Sequence, residues 1–301
     1  MPDPAENGYH FAGRSAVVTG SSRGIGRAVA HALAAQGAAV IVNGRDPEVA
    51  RQAAEEIAGA ADVVASGGTA VAVSGSPSEP EVAEALIAAA VEATGRIDVL
   101  VNCAGTAEPS GSSILNVTTA QWNELIESHL NTTFQTCRVA ASQMVAAGGG
   151  AIVNTSSHAF LGIYGGTGYA AGKGAVNSLT AAIAAELREH NVRANVVCPG
   201  ATTRLSTGTD YEQHLRDLHE RGLLDDLMLA GSQNPGSPEH VASLYAFLAS
   251  DLAAGITGEV FVGAGGYVGR FPKSADEFVT WRDHATNPPY TLEELAAILG
   301  G

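Results

Sequence analysis

The chain has 301 residues, 46 % of them apolar and only 5 % aromatic, with a net charge of −15 at neutral pH. That length holds one large α/β domain or two small ones, and the apolar share is ample for a buried core. The acidic balance, with no visible Lys/Arg patch, excludes a reader of phosphate backbones, so no nucleic-acid partner is expected.

Residues 1–12 read as a flexible lead, without the basic and apolar regions of a secretory leader. Ser15 to Thr19 is a short apolar strand, followed at once by Gly20-Ser21-Ser22-Arg23-Gly24-Ile25-Gly26. A helical pattern then runs from Ile25 to about Gln36, with Ile25, Val29 and Leu33 on one stripe. Strand, glycine loop and helix in that order form a dinucleotide-binding arrangement. The glycines let backbone approach a pyrophosphate, and the helix N-terminus supplies free N–H groups.

The second strand, Ala39 to Val42, ends at Asn43-Gly44-Arg45. This is where an acidic residue would hold the ribose of NAD. Arg45 stands there instead, and with Arg23 it could bracket a 2′-phosphate, which favours NADP over NAD. Asp46, followed by Pro47, reads as a helix cap. Helices over 48–61 and 79–94 alternate with strands over 70–73 and 98–102. Asn102-Cys103-Ala104-Gly105 closes the latter strand, where backbone supports a cofactor and glycine permits a tight exit.

A long helix over 119–147 and a strand over 151–155 lead into two serines, Ser156 and Ser157. Tyr169 opens the next helix, which runs to about His190, and Lys173 follows four positions later on the same face. A free tyrosine has a pKa of about 10, and a neighbouring ammonium lowers it toward the range useful for acid–base catalysis. A strand over 193–197 ends in Cys198-Pro199-Gly200. Residues 205–237 have weak periodicity and read as an irregular substrate lid. A capped helix over 237–249 and a strand over 259–262 complete the alternation. The fold expected is α/β, a single doubly wound parallel sheet of Rossmann type over 13–266, with a C-terminal extension over 267–301. Three separated cysteines (Cys103, Cys137, Cys198) form neither a disulfide framework nor a metal site, and no apolar run spans a membrane. A cytoplasmic location is expected.

Four motifs in register over roughly residues 10–266 resemble the short-chain dehydrogenase/reductase family: Thr19-Gly20-x-x-x-Gly24-Ile25-Gly26, Asn102-x-Ala104-Gly105, Tyr169-x-x-x-Lys173 and Pro199-Gly200. The resemblance implies a homo-oligomer, commonly a tetramer, that moves hydride between a nicotinamide cofactor and a small carbonyl or alcohol. It implies Tyr169 as acid/base, Lys173 as its tuning group and ribose ligand, and a serine holding the substrate oxygen. The family's usual spacing, counted back from Tyr169, falls on Ser156, whereas alignment on the strand gives Ser157. Ser157 is preferred, because a loop absorbs a deletion more easily than a strand slips register. Where the family carries an asparagine that supports a proton relay, this chain has His129. Thr202 or Thr203 is expected to contact the nicotinamide or the phosphates. The tail, with Pro288-Pro289-Tyr290-Thr291-Leu292 and a helix packing on a neighbouring subunit or over the site, is similar to the (3R)-hydroxyacyl-CoA dehydrogenase branch of peroxisomal multifunctional enzymes. That branch also carries a histidine where His129 stands, but an acidic residue where this chain has Gly44. An acyl thioester substrate with NAD is therefore the alternative, and a silent cofactor-binding scaffold is the alternative from another class.

Overall fold

A computed structural model describes residues 10–109, 111–164, 166–203, 209–273 and 276–300. Strands β1 (Ser15–Thr19), β2 (Ala39–Gly44), β3 (Thr69–Ser74), β4 (Val99–Asn102), β5 (Gly150–Thr155), β6 (Val192–Gly200), β7 (Val260–Ala264) and β8 (Tyr267–Arg270) form one sheet in the order β3-β2-β1-β4-β5-β6-β7-β8. All neighbours pair in parallel except β7 with β8. The order reverses between β1 and β4, and the crevice at such a reversal, outside the carboxyl ends of the strands, is where doubly wound sheets take ligands.

Period-2 alternation along each strand sends neighbouring residues to opposite faces. Val18, Val42, Val101 and Val153 join one core with Val29 and Leu33 of α1 (Gly24–Ala34) and Tyr245 and Leu248 of α10 (Pro238–Ala249). Val17, Ile41, Leu100 and Ile152 join the other. That second core takes Leu86 and Ile87 of α4 (Pro80–Thr94), Met144 of α6 (Thr132–Ala146) and Ile183 of α7 (Thr167–Glu186). Both faces are covered, as a parallel sheet requires. Helix α2 (Pro47–Ala58) starts as its sequence suggests: Asp46 accepts the Glu48 and Val49 backbone N–H groups, and Pro47 holds the first helical position.

The structure corrects several expected elements. A short helix, α3 (Ala61–Ser66), intervenes before β3 and closes on Gly67, whose φ of 72° suits glycine. The single helix expected over 119–147 is α5 (Thr119–Ile126), a π-helical turn (Glu127–Asn131) and α6. The stretch over 205–237, expected to be irregular, contains α8 (Thr209–Glu220) and α9 (Asp226–Gln233), while residues 205–208 lie outside the described residues. Leu215, Leu218 and Leu224 form a small core there with Ile163, Tyr164 and Met228. The lead ends earlier than residue 12, since Phe11 is buried and its N–H donates to the Gln36 carbonyl. Strand β8 was expected to be tail, and it moves the boundary of the sheet domain to residue 271.

Residues 272–301 form a second compact unit. Within it, the Arg282 guanidinium stacks 3.8 Å from the Tyr290 ring centroid and donates to Glu294 at 2.8 Å. Thr291 and Glu294 cap α11 (Leu292–Leu299) reciprocally.

Leu100 is fully buried at the centre of the sheet. Leu100→Ala is expected to lower unfolding free energy by about 2–5 kcal/mol. Glu81→Ala, which removes the one acid in the exposed first turn of α4, should cost less than about 1 kcal/mol, both read from denaturant unfolding curves.

Candidate active site

The carboxyl edge of the sheet carries polar residues at the ends of apolar strands. Thr19, Asn102 and Asn154 lie side by side in the register of β1, β4 and β5. The Thr19 hydroxyl donates to Asn102 Oδ1 at 3.3 Å and accepts the Cys103 and Ala104 N–H groups at 3.1 and 3.2 Å. Asn102 Nδ2 donates to Asn154 Oδ1 at 2.9 Å, and Asn154 Nδ2 donates to the Thr180 hydroxyl at 2.9 Å. Thr136 adds a 2.8 Å bond to Asn102 Oδ1. These buried amides are satisfied, which is what makes their burial tolerable. Asn102 thus acts within the sheet, shaping the exit of β4.

The glycine loop is held from β2. Asn43 Oδ1 accepts the Gly20 N–H at 3.2 Å, and the Asn43 backbone exchanges hydrogen bonds with Ser21. A Cβ at Gly20 would lie 2.8 Å from Ala104 Cα, and one at Gly26 would lie 2.5 Å from the Gly20 carbonyl oxygen. Both positions need glycine because backbone passes backbone there. Helix α1 has no side-chain cap and no acid in its first turn, so the helix itself supplies no anion to its N-terminus. This cradle, with Ser22 to Gly26 around a bare helix start, fits a pyrophosphate. Ile25 packs partly buried against the core behind it. A Cβ at Gly44 would lie 2.7 Å from Ser22 Oγ, so Ser22 occupies the space a side chain at 44 would use. Arg23 and Arg45 are exposed, and among the described residues neither makes an ion pair, whereas Arg27 pairs with Glu56 and Arg51 with Glu48 and Glu55.

On the far side of the cleft, Pro199 and Gly200 end β6 beside Gly263 and Ala264. Thr202 donates its N–H to the Gly236 carbonyl at 2.7 Å, with its side chain exposed. It is Thr203 whose methyl group stands near Gly24, 3.6 Å from a Cβ built there.

The two serines part ways. Ser156 is buried and donates to the Lys173 carbonyl at 2.9 Å. Ser157 heads the 3₁₀ turn His158–Leu161, accepting the Ala159 N–H, and its hydroxyl is near enough to the phenol of Tyr169 to pull that group's pKa downward. Lys173 is buried, its Nζ 5.7 Å from the Tyr169 ring centroid and donating to the Thr155 carbonyl at 2.9 Å. Thr155 in turn pairs its hydroxyl with Tyr245 at 2.8 Å.

The His129 ring meets the Tyr169 ring edge-on, centroids 4.8 Å apart. Gly105 and Gly172 make room for it: a Cβ at Gly105 would lie 2.8 Å from the imidazole, and one at Gly172 would lie 3.2 Å from His129 Cβ. His129 is 1 % exposed, and neither ring nitrogen has a hydrogen-bond partner among the described residues. Asn131 turns away to Glu127 at the surface. The π-turn that carries His129 is a feature often found at functional sites.

Electrostatically, the expected depression of the tyrosine is reversed. Burial raises the Tyr169 pKa above its ordinary value, with the Ser157 hydrogen bond pulling the other way and Cys198 adding a smaller rise. Burial outweighs any effect of the Lys173 ammonium on the phenol; that ammonium donates to the Thr155 carbonyl and is itself penalised by burial. Burial lowers it to about 8, opposed by the neighbouring Cys103 and Cys198 thiols. Burial first and Lys173 second drive the His129 imidazole far below its usual value, so it is neutral.

Sequence reading assigned no hydrogen-bonding role to Thr19, Asn43, Asn154 and Thr155, and it missed Glu108 altogether. The first four share one signal, a hydrogen-bonding residue ending an apolar strand run. Glu108, whose carboxylate accepts the Tyr169 backbone N–H at 2.6 Å, sits in a loop with no periodicity to mark it.

The fold and the cleft define a Rossmann-type oxidoreductase domain shaped for a dinucleotide. The family model described as Enoyl-(Acyl carrier protein) reductase matches residues 20–268. Cyclohexanol dehydrogenase of an Acinetobacter species is 35 % identical over 262 residues, covering 86 % of this chain and 97 % of that protein. Hydroxyacyl-CoA dehydrogenase ChsB1 of Mycobacterium tuberculosis is 38 % identical over 269 residues, covering 85 % and 78 %. The crystal structure of a short chain dehydrogenase from Mycobacterium avium superposes with a TM-score of 0.75 at 31 % identity, covering 97 % of this chain and 96 % of that one. The chain belongs to the short-chain dehydrogenase/reductase family and is an oxidoreductase acting on CH–OH groups with a nicotinamide cofactor. Among the described residues, no helix is long and apolar enough to cross a membrane.

Lys173 binds fewer protons folded than unfolded between pH about 8 and the free-lysine value of about 10.4. Its contribution to stability therefore rises with pH across that window and is lost as pH falls through about 8. Lys173→Met is expected to be more stable than the parent at pH 7, with the advantage narrowing toward pH 10; unfolding curves at stepped pH check this.

Proposed function

We propose that this chain is an NADP-dependent ketoreductase/alcohol dehydrogenase that works through Ser157, Tyr169 and Lys173. The observation that carries the reading is the convergence of three groups at the carboxyl edge of the sheet. The Ser157 hydroxyl is near enough to the Tyr169 phenol to lower its pKa, and the Lys173 ammonium stands 5.7 Å from the phenol ring centroid. The glycine loop, Asn102 to Gly105, Lys173 and Thr203 would hold the dinucleotide. When bound, the nicotinamide supplies or accepts the hydride.

The residues of the chain handle the proton. Burial keeps Tyr169 protonated near neutral pH, which suits a donor to the oxygen of a carbonyl undergoing reduction. Ser157 donates a second hydrogen bond to that oxygen, so the charge developing on it meets two fixed donors. A neutral His129, edge-on to Tyr169 and close to Lys173, can accept and donate a proton, and we assign it to the relay that restores Tyr169. Helices α8 and α9 would serve as the substrate lid. Free cysteines fit a reducing compartment, so the reading is of a cytoplasmic enzyme, and by family a homo-oligomer.

Preference for NADP rests on Arg23 and Arg45, exposed and without an ion pair among the described residues, and on Ser22 filling the space beside Gly44. A second reading is an NAD-dependent (3R)-hydroxyacyl-CoA dehydrogenase. It is favoured by the 38 % identity to the hydroxyacyl-CoA dehydrogenase ChsB1.

Tyr169→Phe is expected to lower kcat at least a thousandfold while NADPH affinity, read by fluorescence titration, changes less than about threefold, since general acid catalysis and charge stabilisation are lost together. Retained turnover in that variant would remove the assignment. Arg45→Asp should cut kcat/KM with NADPH at least tenfold and leave NADH nearly unchanged, because only the 2′-phosphate contact is removed. A parent enzyme that prefers NADH and turns over 3-hydroxyacyl thioesters would favour the second reading.

A further inference from the structure

Helix α7 carries both Tyr169 and Lys173, yet its own sequence leaves its start bare. Gly166 holds the N-cap position without a side chain, and no acidic residue falls in the first turn. The first backbone N–H groups of a helix need acceptors from elsewhere. The loop between β4 and α5 provides one. Oε2 of Glu108 accepts the Tyr169 N–H at 2.6 Å, and Oε1 accepts the Ser112 hydroxyl at 2.7 Å. Gly166 makes that approach possible, because a Cβ there would lie 2.7 Å from Glu108 Cγ and 2.9 Å from its Cδ. A bare cap, a carboxylate and a missing Cβ thus converge on one amide, that of the residue whose phenol lies near Ser157.

We propose that Glu108 is a positioning residue, whose carboxylate completes the N-terminus of α7 from the β4–α5 loop and thereby fixes the backbone of Tyr169 in the cleft. The proposal rests on the reading of Tyr169 as the proton donor. A carboxylate accepting a backbone N–H at a helix start makes a strong, short, directional bond. Three residues before Glu108 the same loop leaves β4 through Gly105, which packs against His129 and lies near Lys173. One loop therefore sets two neighbours of the phenol, His129 through Gly105 and the Tyr169 amide through Glu108. Small displacements of a reacting group are costly, with about 1 Å able to lower a rate on the order of a hundredfold.

The test uses the full chain and three variants: Glu108→Ala, Glu108→Gln and Gly166→Ala. Measured for each are kcat and KM with NADPH and a carbonyl substrate, NADPH affinity, and amide hydrogen exchange in the first turn of α7. Glu108→Ala should lower kcat roughly ten- to a hundredfold, leave NADPH affinity within about twofold, and speed exchange in that turn. Glu108→Gln keeps a neutral acceptor and should recover kcat to within about threefold of the parent. Gly166→Ala, by displacing Glu108, should behave like Glu108→Ala. Unchanged kcat and exchange in Glu108→Ala would overturn the proposal. So would a Gln variant as impaired as the Ala variant, or NADPH binding lost in step with kcat. Exchange that responds as expected in a protein without carbonyl turnover would support the placement of Glu108 and count against the proposed function instead.

Discussion

The row of hydrogen bonds from Thr19 through Asn102 and Asn154 to Thr180 crosses the carboxyl edge of three adjacent strands. The rest of the site hangs from it. A sheet buried on both faces has no polar side chains to spare within its span, so its chemistry collects where the strands end. Each amide in the row would be expensive to bury alone, and each is satisfied by the next. The row also fixes where things are. It turns β4 sharply past the glycine loop through the Cys103 and Ala104 N–H groups, and it ties β5, the strand leading to Ser157, to the helix that bears Tyr169 and Lys173. Cofactor cradle and catalytic helix are thereby anchored to one rigid seam.

Burial is the dominant electrostatic influence beyond that seam. Tyr169, Lys173 and His129 all shift in the direction that removes charge: the phenol upward, the ammonium and imidazole downward. Three titratable groups packed together are cheapest to bury neutral or nearly so. The Ser157 hydroxyl and the Thr155 carbonyl are the local counterweights, one steadying the phenol and the other the ammonium. Near neutral pH the phenol holds a proton ready for delivery, the imidazole is neutral and the Lys173 ammonium carries the charge.

Much of this was legible in the sequence because the signals are local. The apolar runs at 15–19, 39–42, 98–102 and 151–155 mark strands, Asp46-Pro47 marks a helix start, and the glycine spacing marks a loop with backbone in close approach. Strands that end in Asn or Thr were visible, but their partnership depends on strand order, which no local pattern fixes. Ser157 over Ser156 followed from register, and the structure sends the two side chains to different partners. The electrostatic sense of the Tyr/Lys pair was not legible, since i, i+4 spacing gives proximity without burial. Helices α8 and α9 were hidden because their apolar residues, Leu215, Leu218 and Leu224, cover only a small satellite core. Strand β8 escaped notice because an edge strand with exposed Tyr267 and Val268 lacks the apolar signature of its buried neighbours.

The π-turn at Glu127–Asn131 adds one residue to what would otherwise be a continuous helix from Thr119 to Ala146. One residue is worth roughly 100° of rotation about a helix axis. Leu125 before the turn and Thr136, Cys137 and Ala140 after it are all buried, because the wider turn absorbs the extra residue and leaves both halves facing the core. The wide turn takes up that rotation, and His129 sits in the widened loop of backbone. Losing a single residue here would let the rod wind evenly again with both halves still facing the core, yet the widened turn that seats His129 would be gone. A side chain placed within the irregularity inherits an orientation that ordinary helix geometry would not offer.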